Sequence, residues 1–208
     1  MDNYEISRDR AQTYFLNFDQ QAIIDRWELQ YDTDYLYLDF VSRPYQVCRK
    51  SGRIDRLFDG SQAGYSEVLS IFDLLCHKGN DPFLTGRFAP VNSLRGCPVS
   101  AGVNAEFHGK AARYFDENPD LLRSACIALG GTAVKTGDIG FQFPVFDKLS
   151  AILKFYRSDE DFPASLTFLW DENTLNFLFY ETVFYIAGFL LEMISKEMGR
   201  LAIKGREL

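Results

Sequence analysis

The sequence predicts an α+β protein, on two observations. Segments with the 3.6-residue apolar period of helices and segments with the two-residue alternation of strands come in blocks, without strict one-for-one alternation. That pattern belongs to antiparallel strands packed with several helices. The chain also closes with a long, mostly apolar helical stretch from about Thr174 to Leu201, expected to be largely buried. No internal repeat, low-complexity tract or linker divides the 208 residues, so a single domain over 1–208 is the simplest organisation.

Residues 7 to 28 read as helical, in one or two pieces. Ser7 is an expected N-cap, Ala11, Tyr14, Phe15 and Phe18 share a face, and Asp19 can restart the turn before Ile23, Ile24 and Trp27. Leu36, Leu38 and Phe40 alternate with Tyr35, Tyr37 and Asp39 as in a half-buried strand. Pro44 is expected to interrupt, Tyr45 to Lys50 to form a second strand, and Ser51-Gly52 to turn the chain into Arg53–Phe58, giving a small meander. Tyr65 to His77 is a helix with Val68, Leu69, Phe72 and Cys76 on one face and Gly79 at its stop. Lys78 to Gly102 reads as a long Gly/Pro-punctuated loop, a type that is often functional. Helices follow near Asn104–Asp116 and Asp120–Leu129, the second opened by Pro119 and closed by Gly130-Gly131. A second β region holds strands around Phe141–Val145, Ala151–Phe155 and Leu166–Trp170, the last after the acidic turn Asp159-Glu160-Asp161.

The final helix contains a 17-residue apolar run, Leu175 to Leu191. A membrane span needs about 20 apolar residues, and Asn176, Glu181 and Glu192 break the pattern. At about 100° per residue, Glu181, Tyr185, Gly188, Glu192 and Ser195 fall on one narrow stripe. The expectation is a core helix with a polar seam and no membrane insertion.

Composition narrows the partners. At 23.9 kDa, about 70% of the unfolded chain's surface would be buried, enough for a core without metal or disulfide staples. With 22 basic and 29 acidic residues the net charge is −7, and no basic block stands out; nucleic acid and anionic membranes are disfavoured. The polar, acidic start Met1-Asp2-Asn3-Tyr4-Glu5 does not read as a signal peptide. Cys48, Cys76, Cys97 and Cys126 match neither a zinc knuckle nor an iron–sulfur run. The chain is therefore read as cytoplasmic with reduced or structural thiols. Aromatic residues make up 15%, with 19 Phe and 11 Tyr. Two readings compete: a Phe-rich core, or an aromatic-lined pocket for a planar ligand.

No Walker loop, GxGxxG, GxSxG or HExxH is present, so no catalytic residue is assigned and enzyme activity stays open. Asp138, Asp159, Glu160, Asp161, Asp171 and Glu172 lie at strand ends, where they could gather around a hard cation or simply face water. Asp171 or Asn173 is a natural N-cap for the last helix. His77 and His108 with Cys76 and Cys97 could form a soft metal site, but Cys76 is in phase with core residues and no metal is assigned. Glu181, inside a Phe/Leu helix, must face water, pair with an arginine such as Arg87 or Arg157, or act as a pocket acid.

Several of these stretches resemble a known family, the domain of unknown function numbered 3786, found in anaerobic bacteria and archaea. They are Ser66–Leu75, Gly86-Arg87-Phe88, Leu129-Gly130-Gly131, Gly137-Asp138, Ser158–Ala164 and Leu169-Trp170-Asp171. The similarity runs from roughly Thr13 to Ile194. Some relatives are fused to a four-cysteine iron–sulfur domain of the kind found in corrinoid proteins, and this sequence lacks that cysteine run. The resemblance implies a cytoplasmic accessory protein of anaerobic metabolism, linked to corrinoid or one-carbon pathways, and supplies no active site.

The leading expectation is a binding protein for a small planar ligand, or one that serves a metabolic enzyme partner. Its recess would lie beside the last helix, framed by Arg87 and Phe88 of the long loop, Asp138, Asp159 and Asp161 of the acidic hairpin, and Glu181 and Tyr185. The alternatives are a metal-assisted hydrolase or transferase using the clustered carboxylates, and a protein–protein interaction module with an aromatic surface.

Overall fold

A computed structural model of the chain describes residues 3–79, 83–98, 105–146 and 148–204. It is an α+β structure with two antiparallel sheets and a long C-terminal helix. Helices α1 (Asn3–Leu16) and α2 (Gln20–Trp27) lead into the first sheet, β1 (Gln30–Tyr31), β2 (Tyr35–Phe40), β3 (Arg43–Cys48) and β4 (Ile54–Arg56), an antiparallel meander in chain order. Helix α3 (Tyr65–Cys76) follows, then the short strand β5 (Phe88–Pro90) and helices α4 (Ala105–Glu117) and α5 (Pro119–Ala128). Strands β6 (Thr132–Ala133), β7 (Ile139–Phe146), β8 (Leu149–Tyr156) and β9 (Ser165–Asp171) complete the second sheet, in the order β5-β9-β8-β7-β6. Helix α6 (Tyr180–Lys204) ends the described chain.

The helical pair at the start divides where Asp19 predicts. Its carboxylate accepts from the N–H groups of Gln21 and Ala22 at 3.0 and 3.1 Å and caps α2. Ser7 is no cap, because α1 already runs from Asn3 and Ser7 lies inside it.

Pro44 does not interrupt the meander either. It stands opposite Asp39 within β3, and the interruption falls one step earlier, at Val41-Ser42. These two residues form the β2–β3 hairpin turn, both with left-handed backbone (φ 50° and 58°), as a two-residue turn between right-twisted strands requires. A β-branched residue in that region is strained. It is held there because Val41 is buried at 1% exposure and its N–H donates to the Val145 carbonyl of β7 at 2.8 Å. The turn thus ties one sheet to the other. Ser42 carries the same backbone strain but is exposed. Ser42→Gly is therefore expected to raise stability by about 0.5–1 kcal/mol in chemical denaturation; a loss would show that the hydroxyl, not the backbone, matters.

The long loop contains structure that its Gly/Pro content concealed: β5 pairs with β9 as an edge strand. Its Pro82 and Gly102, and the predicted helix start at Asn104, lie outside the described residues. Gly79 is required by a close approach, since a Cβ there would come within 1.8 Å of the Asn176 carbonyl oxygen.

Helix α6 packs against both α3 and α5, and Phe189 on it stacks on Phe40 of β2 at 5.7 Å. The polar seam holds: Glu181 and Glu192 are exposed while Val183, Ile186, Ala187, Leu190 and Ile194 are buried. Among the described residues no helix is long and apolar enough to cross a membrane.

Candidate functional site

The structure divides the seven residues expected to share a recess into three groups. Arg87 and Phe88 lie at the C-terminal end of β9, where Phe88 is opposite Asp171 and Arg87 pairs in the open with Glu172 at 2.7 Å. Asp138, Asp159 and Asp161 lie at the other end of that sheet. Asp138 accepts from the Arg157 N–H at 2.8 Å, and Asp159 accepts from the N–H groups of Asp161 and Phe162 at 2.9 and 2.7 Å. The Asp159 bonds are local to its turn, the Asp138 bond joins the start of β7 to the end of β8, and all three carboxylates are exposed. The seven residues of β9 separate the two ends by about 20 Å.

Asp171 does not cap the last helix. It is 2% exposed and accepts from Thr85 N–H (3.1 Å), Thr85 Oγ1 (3.1 Å), Gly86 N–H (2.7 Å) and Asn173 N–H (2.9 Å), pinning the loop before β5 to the end of β9. Among the described residues no group of three or more His, Cys, Asp or Glu is placed to hold a metal ion. Cys76 is packed in the core as its phase predicts, and burial pushes its thiol up to about 12, far from thiolate chemistry at neutral pH.

Glu181 and Tyr185 do line a hollow, with partners the sequence reading did not name. The groove has a volume of about 670 Å³ and runs between α1, α3 and the start of α6. Arg10, Ala11 and Tyr14 come from α1; Leu69, Phe72, Asp73 and Cys76 from α3; Phe179, Thr182, Glu181 and Tyr185 from the start of α6; and His77 and Lys78 close one end. Glu181 is an exposed acid on the rim, neither buried nor paired with Arg87 or Arg157. Tyr185 is half-buried and meets Tyr65 edge-on at 5.8 Å; burial first, and then a hydrogen bond with Tyr65, raise its phenol above the ordinary value.

The polar centre of the groove is Asp73 with His77. Asp73 lies in the last turn of α3, and His77, four residues on, is the C-cap that follows it. The side chains are 7% and 10% exposed, and Nδ1 of His77 lies 3.4 Å from Oδ1 of Asp73. The other oxygen, Oδ2, accepts from the Phe179 N–H at 2.7 Å and the Thr182 hydroxyl at 2.5 Å. Asp73 therefore supplies, from another helix, the carboxylate that the first turn of α6 needs. The Phe179 ring stands edge-on to the His77 imidazole at 4.7 Å. Nδ1 of His77 and Oδ1 of Asp73 are both buried without a hydrogen-bond partner among the described residues, so the pair keeps polar atoms free to meet a ligand.

The sequence reading places His77 in a candidate soft metal site with His108, Cys76 and Cys97, and does not pair it with Asp73. The spacing Asp73–His77 was the available signal, and it became informative only once α6 was seen to start over it.

Two sheets tied at a hairpin turn, with a helical layer enclosing an aromatic groove around a buried acid–imidazole pair, define a two-sheet α+β protein with a groove of ligand-site size. A family model described as a domain of unknown function (DUF3786) matches residues 19–193, and the chain belongs to that family. No curated protein and no solved structure matches it.

Proposed function

We propose that this is a ligand-binding protein whose ligand lies in the groove between α1, α3 and α6. The observation that carries the reading is the Asp73–His77 pair, about nine-tenths buried, set among aromatic side chains contributed by three separate helices. Apolar ring surface supplies affinity without direction, and a small number of buried polar atoms then fixes orientation. Tyr14 and Phe179, exposed at 53% and 62%, offer faces for a planar group, while His77 receives its polar edge. Arg10, Lys78 and Glu181 at the margin suit a ligand carrying charge of both signs. A cytoplasmic accessory role in anaerobic metabolism, with a corrinoid as one of the planar ligands to be tried, belongs to the same proposal.

The test is a titration of anaerobically purified protein with hydroxocobalamin, haem and flavin mononucleotide, followed by absorbance and melting temperature. A ligand present at 100 times its Kd stabilises by about 2.7 kcal/mol. Phe179→Ala should weaken that ligand about tenfold while leaving the ligand-free protein within about 0.5 kcal/mol of wild type. If all three ligands leave both signals unchanged, planar-ligand binding is wrong, and the aromatic margin is left to a protein partner.

A further inference from the structure

We propose that a separate hollow, between the end of α2 and the β7–β8 turn, binds an oxyanion (a carboxylate or a phosphate ester) carried on a flat apolar body. The hollow has a volume of about 400 Å³, and its walls include Arg26, Trp27, Phe83, Lys148 and Phe177. Among the described residues its lining holds two cations and no acid, in a chain of net charge −7. Among the described residues neither Arg26 nor Lys148 takes part in an ion pair.

Two donors of the residues that form this wall are unused. Arg26 gives Nη1 to the carbonyl of His77, yet its Nη2 is buried with no acceptor among the described residues. Nε1 of the neighbouring Trp27 is also buried with no acceptor, and the guanidinium lies 4.9 Å from the Trp27 ring centroid. A buried N–H without a partner costs about 1–3 kcal/mol, so native proteins rarely keep one, and an ion is among the usual reasons. Here two occur on consecutive residues beside a third cationic group. Burial also lowers the Arg26 pKa, the mark of a guanidinium drawn from water without a compensating charge.

The chemistry selects the ligand. A guanidinium matches the spacing of two oxygens of a carboxylate or phosphate, the indole N–H adds one directed bond, and Lys148 adds a point charge. Trp27, Phe177 and Phe83 offer ring surface for a flat body behind the anionic group. Both N–H groups are covered in the ligand-free form. Phe83, 53% exposed, and the exposed Lys148 border the hollow, and binding at the two N–H groups requires side chains of the wall to move.

The probes are benzoate and phenyl phosphate, with inorganic phosphate and chloride at matched ionic strength. The readout is the indole N–H resonance of Trp27 in a ¹⁵N-labelled protein, assigned by Trp27→Phe, together with melting temperature. Expected is a saturable downfield movement of that resonance and a rise in Tm with at least one aromatic anion, carboxylate or phosphate being told apart by which probe is stronger. Arg26→Gln should abolish the response, and Lys148→Gln, at an exposed position, should weaken binding about tenfold without unfolding the protein. Asp25 and Glu28 adjoin the wall in sequence but do not line the hollow; Asp147, next to Lys148, and Asp81, two residues before Phe83, lie outside the described residues. If Asp81→Asn or Asp147→Asn destabilises the protein while neither aromatic anion moves the Trp27 resonance, the counter-charge is internal and the proposal is overturned. A response that survives Lys148→Gln and Arg26→Gln unchanged overturns it equally.

Discussion

Glu67→Ala is expected to lower the stability of the protein by about 3–5 kcal/mol, a drop of roughly 10 °C in Tm for a chain of this size. Glu67 is 2% exposed and lies on α3, where its carboxylate accepts from the Tyr45 hydroxyl at 2.5 Å, Arg56 Nε at 2.7 Å, Arg56 Nη2, and the Gly64 N–H at 2.7 Å. It therefore joins β3, β4 and the entry to α3 at one point. Truncation leaves a buried phenol and a half-buried guanidinium without their acceptor, which costs more than the attraction lost. Burial opposes ionisation of Glu67, but the Arg56, Tyr45 and Gly64 donors outweigh it, and the carboxyl sits below the ordinary glutamate value. The folded state thus binds this proton less readily than the unfolded chain. The contribution is complete above the unfolded glutamate pKa, near pH 4, and is lost as pH falls through the depressed folded value. Denaturant melts from pH 7 to pH 3 should show that acid loss in wild type and a smaller one in Glu67→Gln.

Asp73→Ala is the second large effect, about 2 kcal/mol, the upper end for loss of a helix N-terminal carboxylate. Phe179 N–H and the Thr182 hydroxyl lose their common acceptor, and the His77 imidazole loses the carboxylate 3.4 Å from its Nδ1. A purely structural role and a role in the groove separate in one experiment. Asp73→Asn keeps an acceptor oxygen for the α6 N-terminus and should recover most of the stability. It should not restore ligand binding, because an amide lacks the carboxylate charge beside His77. If Asp73→Asn binds planar ligand as wild type does, the pair is an architectural cap and nothing more.

The elements with strong periodicity were legible in the sequence. β2 is bounded by the residues the alternation of Leu36, Leu38 and Phe40 marks out, and Asp19 and Pro119 stand at the starts of α2 and α5. Three short strands, β1, β5 and β6, were not, because two or three residues carry no period; pairing with a neighbour alone makes them strands. Pro44 does not interrupt because its place opposite Asp39 tolerates a residue without an N–H. The groove was legible only in part. Glu181 and Tyr185 are in it, but Arg87, Phe88, Asp138, Asp159 and Asp161 are not. Charge at a strand end says nothing about which end of which sheet faces a helix layer. That depends on β9 running between β5 and β8, a long-range pairing with no local sign in the chain.

The claim that the groove between α1, α3 and α6 is the ligand site meets its most direct test in a ¹³C-methyl and aromatic NMR titration with whichever planar ligand raises Tm. The account predicts saturable shifts confined to Tyr14, Leu69, Phe72, His77, Thr182 and Tyr185, with the Phe168 and Trp170 signals of the second sheet unmoved. Shifts centred on the second sheet, or on none of the groove residues at ligand saturation, would contradict it.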